Sequence, residues 1–262
     1  MNSLQTAASG MMAQELNVEV ISNNIANMRT TGFKRVRAEF QDLLYQDLRR
    51  VGTASSDEGT VVPTGIQIGY GVKTGATSRV MSQGSLAKTD KELDLAIRGD
   101  GFFEISLPSG QTAYTRDGSF ELDADGRLVT LDGYEVQPGI TIPNNARSIT
   151  INRQGTVQVV TDTNATPQDV GQIQLTRFVN KSGLQAIGDN LFLETPSSGS
   201  PTQGTPSQDG LGDVLQKFLE SANVNAVSEL SDLIAAQRAY EMNARVISAS
   251  DEMMSSTANI LR

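Results

Sequence analysis

The 262-residue sequence contains no histidine, no cysteine and no tryptophan. The missing histidine removes the Ser-His-Asp and Cys-His catalytic pairs, the imidazole general base and the commonest metal ligand. The missing cysteine removes thiol nucleophiles, thiolate zinc sites, iron–sulfur ligation and disulfides. Positive charge is also scarce: 21 basic against 30 acidic side chains leave a formal charge of −9. A general nucleic-acid binder needs a basic field to displace counterions from phosphates, so no nucleic-acid partner is expected. The first Lys or Arg is Arg29, so no basic segment precedes an apolar stretch as in a secretory signal. No apolar run is long enough to span a bilayer. By these signals alone the chain reads as cytoplasmic, with no membrane insertion.

What is present falls into two kinds of segment. From Ser3 to Asn27 there is no proline, and Leu4, Ala7, Met11, Val18, Ile21 and Ile25 recur at three- and four-residue steps, with Gln14 the one polar member of the series. That is the stripe of an amphipathic helix. Near the other end Ala226, Leu233, Tyr240, Ile247, Met254 and Leu261 recur every seventh residue, with Leu230, Gln237, Ala244, Asp251 and Ala258 interleaved. A heptad sustained this long predicts a coiled-coil seam. Between the ends lie short strand-like runs, such as Leu93–Ile97 and Thr156–Val160, punctuated by Asp100-Gly101, Asp117-Gly118, Asp125-Gly126 and Asp132-Gly133. Asp-Gly supplies the positive φ of tight hairpin turns, and the turn spacing predicts a β-sandwich or irregular barrel.

The fold expected is therefore α+β. Residues 1–30 and 213–262 pair as a coiled coil, 31–80 form an extended hairpin linker, and 81–212 form a central all-β domain. The apolar stripes of the ends have nothing large to cover them, so the ends are expected to need each other and neighbouring copies of the chain.

Candidate chemical motifs are weak. Ser85-Leu86-Ala87-Lys88 and Lys73-Thr74-Gly75 match fragments of the penicillin-recognising enzymes, but in the wrong order and without their third motif. Asp123-Ala124-Asp125-Gly126 resembles the start of a calcium loop, yet the glycine comes two positions early. No catalytic, cofactor-binding or metal-ligating residue is assigned, and no cofactor is expected. Arg29, Lys34, Arg35 and Arg37 form a basic cluster after the first helix, read equally well as a solvated face or as a contact with an acidic neighbouring copy.

Three blocks carry a family resemblance. The first is Ser22-Asn23-Asn24-Ile25-Ala26-Asn27 followed by Thr30-Thr31-Gly32-Phe33-Lys34-Arg35. The second runs from Leu93 through Gly99-Asp100-Gly101-Phe102-Phe103 to Gly133-Tyr134-Glu135-Val136-Gln137-Pro138. The third is Leu219-Glu220-Ser221 and Asn223-Val224-Asn225, continued by Gln237-Arg238-Ala239-Tyr240-Glu241 and Asn243. With these, the sequence resembles the bacterial flagellar basal-body rod family, and within it the distal-rod branch. Ala222 is one departure, where that family is expected to carry serine.

The resemblance implies a structural subunit that assembles with copies of itself into a rigid helical tube, a drive shaft enclosing the export channel. It implies terminal helices inside and β-domains outside. The partners it implies are proximal rod proteins, hook protein, the surrounding P-ring and L-ring proteins and the flagellar type III export apparatus. The location becomes the basal body, in the periplasm towards the outer membrane, which reverses the cytoplasmic reading. The motif residues are Asn23, Asn24, Asn27, Thr31, Gly32, Phe33, Gln237, Arg238, Tyr240 and Asn243, and segment 45–63 resembles the stretch that separates the distal rod from the bendable hook. The readings set against this are a hook or other axial subunit, a peptidoglycan-active enzyme using paired carboxylates, and a secreted adhesin. In the helical reading, Asn23, Asn24 and Asn27 end the first helix through left-handed backbone and Gly32 redirects the chain.

Overall fold

A computed structural model describes residues 2–49, 64–162 and 164–260. The fold is α+β, with a helix near each end and a β-rich middle. It divides into two compact units, one of residues 1–25, 36–78 and 225–262, the other of residues 26–35 and 79–224.

The first unit holds both helices. Helix α1 spans Asn2–Ala26 and helix α2 spans Ala226–Ile260. Neither contains proline, and both are rich in Ala, Met, Leu and Glu, which lose little side-chain freedom in a helix. Asn225 caps α2: its side-chain oxygen accepts from the backbone N–H of Val227 (3.0 Å) and Ser228 (3.4 Å), two of the donors a helix start leaves unpaired. The same unit contains a two-stranded ribbon in two sections. Strand β1 (Val36–Asp42) pairs with β4 (Val72–Arg79), and β2 (Tyr45–Arg49) pairs antiparallel with β3 (Ile66–Gly69) in the register Tyr45↔Gly69. Gly71, at φ +118°, lies so close to α1 that a Cβ there would sit 2.2 Å from the Ser9 hydroxyl oxygen, which accepts from Val72 N–H at 3.2 Å. Glycine is required at that position by both the backbone angle and the space.

The second unit is built on an antiparallel sheet. Its strand order is Gln185–Gly188, Leu191–Leu193, Thr112–Thr115, Phe102–Ser106, Glu135–Val136, Leu128–Val129 and Glu121–Leu122, with Leu175–Arg177 also pairing to Phe102–Ser106. Alternation along Phe102–Ser106 sends successive side chains to opposite faces. Phe103 and Ile105 enter the main core with Leu95, Ile97, Phe120 and Leu175. Phe102 joins a smaller cluster of Tyr114, Phe178, Leu184 and Phe192. A separate three-stranded antiparallel sheet, Ala146–Ile151, Thr156–Thr161 and Asn164–Gln172, adds Ile151, Val157 and Val159 to the main core. The large sheet ends on open edges, so the expected barrel does not close.

The four Asp-Gly dipeptides divide. Asp125-Gly126 and Asp132-Gly133 do form hairpin turns, with glycine φ of +78° and +84°. Asp100-Gly101 instead joins strands that pair elsewhere: Leu95–Arg98 runs beside Asp213–Gln216. Gly118 has no positive φ; a Cβ there would lie 1.6 Å from the Leu95 carbonyl oxygen, so close approach is what demands glycine. Turn chemistry and backbone crowding select the same residue, and spacing alone does not separate them.

Tyr114 makes an alkaline prediction. Burial, with the Glu104 and Glu194 carboxylates adding to it, pushes its hydroxyl from 10.0 up to about 12. The unfolded chain gives up that proton first, so stability present below pH 10 is lost as pH rises towards 12. Tyr114→Phe is expected to lose less melting temperature over that window than the parent; equal losses would remove Tyr114 as the cause.

Candidate assembly interface and the lock between the chain ends

In the first unit the two helices meet at two places. Near one end Asn24 is 1% exposed and its amide is fully used. The Nδ2 donates to Val36 O at 2.8 Å and to Glu229 Oε2 at 3.1 Å, and the Oδ1 accepts from Val36 N–H at 2.9 Å. Asn24 therefore pairs with the first residue of β1 as a neighbouring strand would, and reaches the first turn of α2 with its remaining donor. Further along, a Cβ on Gly10 would stand 2.9 Å from Asn243 Nδ2, so the absent side chain is what lets α1 and α2 approach there. Asn24 to Gly10 climbs α1 by the same number of residues as Glu229 to Asn243 descends α2, which makes the pair antiparallel. The positions of α2 turned inward are Glu229, Ala236 and Ser250, with Leu233, Asn243 and Ile247 half-buried. Those on α1 are Ala7, Ala13, Val20, Ile21 and Asn24. At the two contacts the facing residues, Asn24 with Glu229 and Gly10 with Asn243, are small or polar, a composition suited to close helix packing and poor in hydrophobic drive.

The second unit contains a buried ionic lock. Lys34, Arg116 and Glu220 are 1%, 3% and 0% exposed. Lys34 Nζ donates to Glu220 Oε1 at 2.5 Å and to Ser82 O at 2.9 Å. Gly84 N–H donates to the same Oε1 at 2.9 Å, and Arg116 Nη1 donates to Oε2 at 3.3 Å. The Arg116 Nη2 donates to Gly99 O at 2.7 Å, and its guanidinium stands 5.4 Å from the centroid of the Phe102 ring, a cation–π contact. Burial draws both cations below their ordinary values, and Glu220 pulls each the other way. Around this centre Asn223 accepts from Arg35 N–H at 2.7 Å and donates to Val80 O at 2.8 Å, and Gly32 N–H donates to Glu220 O at 2.8 Å. Gly32, at φ +70°, has no room for a Cβ, which would be 2.7 Å from Asp117 N. One early segment, residues 31–35, is thus tied to one late segment, residues 220–223. Nothing here is arranged for catalysis, and among the described residues no group of three or more acidic side chains is placed to hold a metal ion.

Both tied segments fall in or beside matched family models. Residues 4–34 match a model described as "Flagella basal body rod protein", and residues 215–260 match "Flagellar basal body rod FlgEFG protein C-terminal". Residues 96–159 match "Flagellar hook protein FlgE/F/G D1 domain". A Caulobacter vibrioides protein named "Flagellar basal-body rod protein FlgG" is 59% identical over 260 residues, covering 99% of each chain. The Agrobacterium fabrum protein of the same name is 49% identical and covers 100% of both. The chain belongs to the FlgG family of flagellar basal-body rod proteins. By contrast a "Flagellar hook protein FlgE" of Helicobacter mustelae matches 52% of this chain and only 30% of its own length. As a FlgG-family member the chain is a structural subunit of the flagellar distal rod and not an enzyme.

The motif residues of this FlgG-family chain are distributed as follows. Asn24, Gly32 and Asn243 sit at the close contacts just described. Asn23 and Asn27 flank the end of α1, where Asn27 accepts from Thr30 N–H (3.1 Å) and Thr30 Oγ1 (3.2 Å) in a turn. Neither they nor Asn24 adopts left-handed backbone; Gly32 does. The side chain of Asn24 supplies strand-like pairing instead of a carbonyl cap. Thr31 O accepts from Asn190 at 3.1 Å, and Phe33 is half-buried. Gln237 and Arg238 are exposed, as is Tyr240.

Along the helical stripes Leu4, Met11, Val18 and Ile25 are half-buried, as is Ala226. Leu230 and Met254 are exposed, and Leu261 lies outside the described residues. The basic cluster splits too, because Lys34 is neither solvated nor available to a neighbour, whereas Arg29 and Arg37 are exposed. Glu220, Arg116, Asn223 and Asn225 carry the architecture without having been singled out as sites. Their partners lie up to 188 residues away, and no spacing rule reports such a pair.

Proposed function

We propose that this distal-rod subunit polymerises into a stiff helical tube whose inner layer is made by the α1–α2 pair, coiled as a coiled coil. The observation that carries this is the apolar surface of the first unit in a single chain. Leu44 is 83% exposed, Tyr45, Leu48, Ile66 and Ile68 are exposed on the ribbon, and Val227, Leu230, Ile234, Met242 and Met253 are exposed on α2. Large apolar side chains exposed in such number within one unit mark contact with other protein, and a two-stranded ribbon is marginal without it. Copies of the chain are the first partners; proximal rod, hook, P-ring and L-ring proteins and the type III export apparatus are the others. The rod would lie in the periplasm towards the outer membrane. Segment 45–63, of which residues 50–63 lie outside the described residues, bridges neighbouring subunits and keeps the lattice straight.

Electron microscopy of polymers tests both parts. Leu233→Asp with Ile247→Asp places charge in the helix pair and is expected to abolish polymers, while deletion of Gln46–Val62 is expected to yield curved ones. Normal polymers from the first variant, or straight ones from the second, would refute the corresponding part.

A further inference from the structure

Two surfaces of the first unit are complementary, and α2 contributes to both. One is a groove of about 630 Å³ formed where α1 and α2 meet, lined by Glu15, Val18 and Glu19 from α1 and by Gln237, Tyr240 and Glu241 from α2. Its floor is apolar and its rim carries three carboxylates, none of them paired among the described residues. The other surface is the outer face of α2. Ile234, Arg238, Met242 and Arg245 follow one another at three- and four-residue steps, so they share a face, turned away from the buried Glu229, Ala236 and Ser250. All four are exposed, and neither arginine has a carboxylate partner among the described residues.

We propose that the groove of one copy receives the Ile234–Arg245 stripe of α2 from a second copy, Arg238 and Arg245 meeting Glu15, Glu19 and Glu241 while Ile234 and Met242 cover Val18 and Tyr240. Charge complementarity selects this occupant. In a chain of net charge −9, copies repel, and this stripe is a compact pair of free cations on the helix that also builds the groove. Because groove and stripe are different patches of the same chain, the contact is heterologous. It leaves a free groove on one copy and a free stripe on the other, so it propagates into an open array rather than closing as a dimer. The contact rests on the assembly reading above and specifies which surfaces make it.

The test is the concentration at which the purified full-length chain begins to sediment as polymer, with circular dichroism confirming equal helix content. Glu15→Arg with Glu19→Arg puts cations against cations, and Arg238→Glu with Arg245→Glu puts anions against anions. Each pair is expected to raise the threshold at least about ten-fold. All four changes in one chain exchange the signs at every one of these groups except Glu241 and are expected to return it to within about three-fold of the parent. If the four-fold variant is as impaired as the worse pair, or if either pair polymerises like the parent, the contact is wrong. A parent that stays monomeric at every concentration sinks the assembly reading itself. Because the chain has no native cysteine, Val18→Cys with Met242→Cys gives a second readout that leaves the charges alone. Oxidation of polymers is expected to give a ladder of covalent multimers from the double variant and none from either single one; no ladder would overturn the contact.

Discussion

Glu220→Ala is expected to destabilise the second unit by about 3–5 kcal/mol, against a total of about 5–15 kcal/mol for a typical domain. The carboxylate is completely buried and both its oxygens are engaged, one by Lys34 and Gly84 and the other by Arg116. Removing it leaves two cations inside the protein with the carbonyl oxygens of Ser82, Ile97 and Gly99 and the Phe102 ring, but no carboxylate bonded to either. Neither can reach water without opening the structure. The cost is dominated by those abandoned charges rather than by the lost attraction, so the replacement of all three by Leu, Met and Met should cost much less than Glu220→Ala alone. Denaturant unfolding followed by circular dichroism decides this. A loss below about 1 kcal/mol for Glu220→Ala would mean that water or another anion reaches the cations, and the lock would not be a lock. The effect also has a direction in the chain: Lys34 and Arg116 are made long before Glu220, so a chain truncated ahead of Phe218–Glu220 should leave the second unit unfolded.

Asn24→Leu comes next in expected size, at about 2–4 kcal/mol. Leucine has nearly the shape of asparagine but pairs with nothing. It strands the N–H and C=O of Val36, and it takes from the buried Glu229 the donor that Asn24 provides. Asn24→Asp is expected to be worse still, because it keeps the acceptor for Val36 N–H but sets a second carboxylate against Glu229 and against Val36 O. The predicted order of stability is therefore Asn, then Leu, then Asp. Amide exchange at Val36 should quicken in both variants. An Asp variant more stable than the Leu variant would show that the pocket is wet and the argument from buried pairing false.

Both predictions concern residues that periodicity ranks poorly. Helix α1 was legible as a helix because apolar residues recur at helical steps without proline, and α2 because of its heptad. Which α2 face turns inward was less legible. The seventh-residue series that includes Leu233 and Ile247 borders the inward face, but the residues most deeply buried there are Glu229, Ala236 and Ser250. Hydrophobicity cannot point to such positions. Close approach selects small side chains, and the buried Glu229 carboxylate is one that a distant donor, Asn24, reaches.

By itself, the sequence determined the class of this protein: α+β, helices at the ends, strands between, no thiol or imidazole chemistry, and a rod-family membership carried by blocks spread along the whole chain. These are local properties, set by residue periodicity, turn composition and motif identity. Tertiary structure alone decided that Lys34 is a buried partner of Glu220 rather than a surface cation, that Gly118 is needed for its neighbour's carbonyl rather than for a turn, and that the sheet stays open. Each depends on which distant segments meet, and a side chain's environment is a property of that meeting.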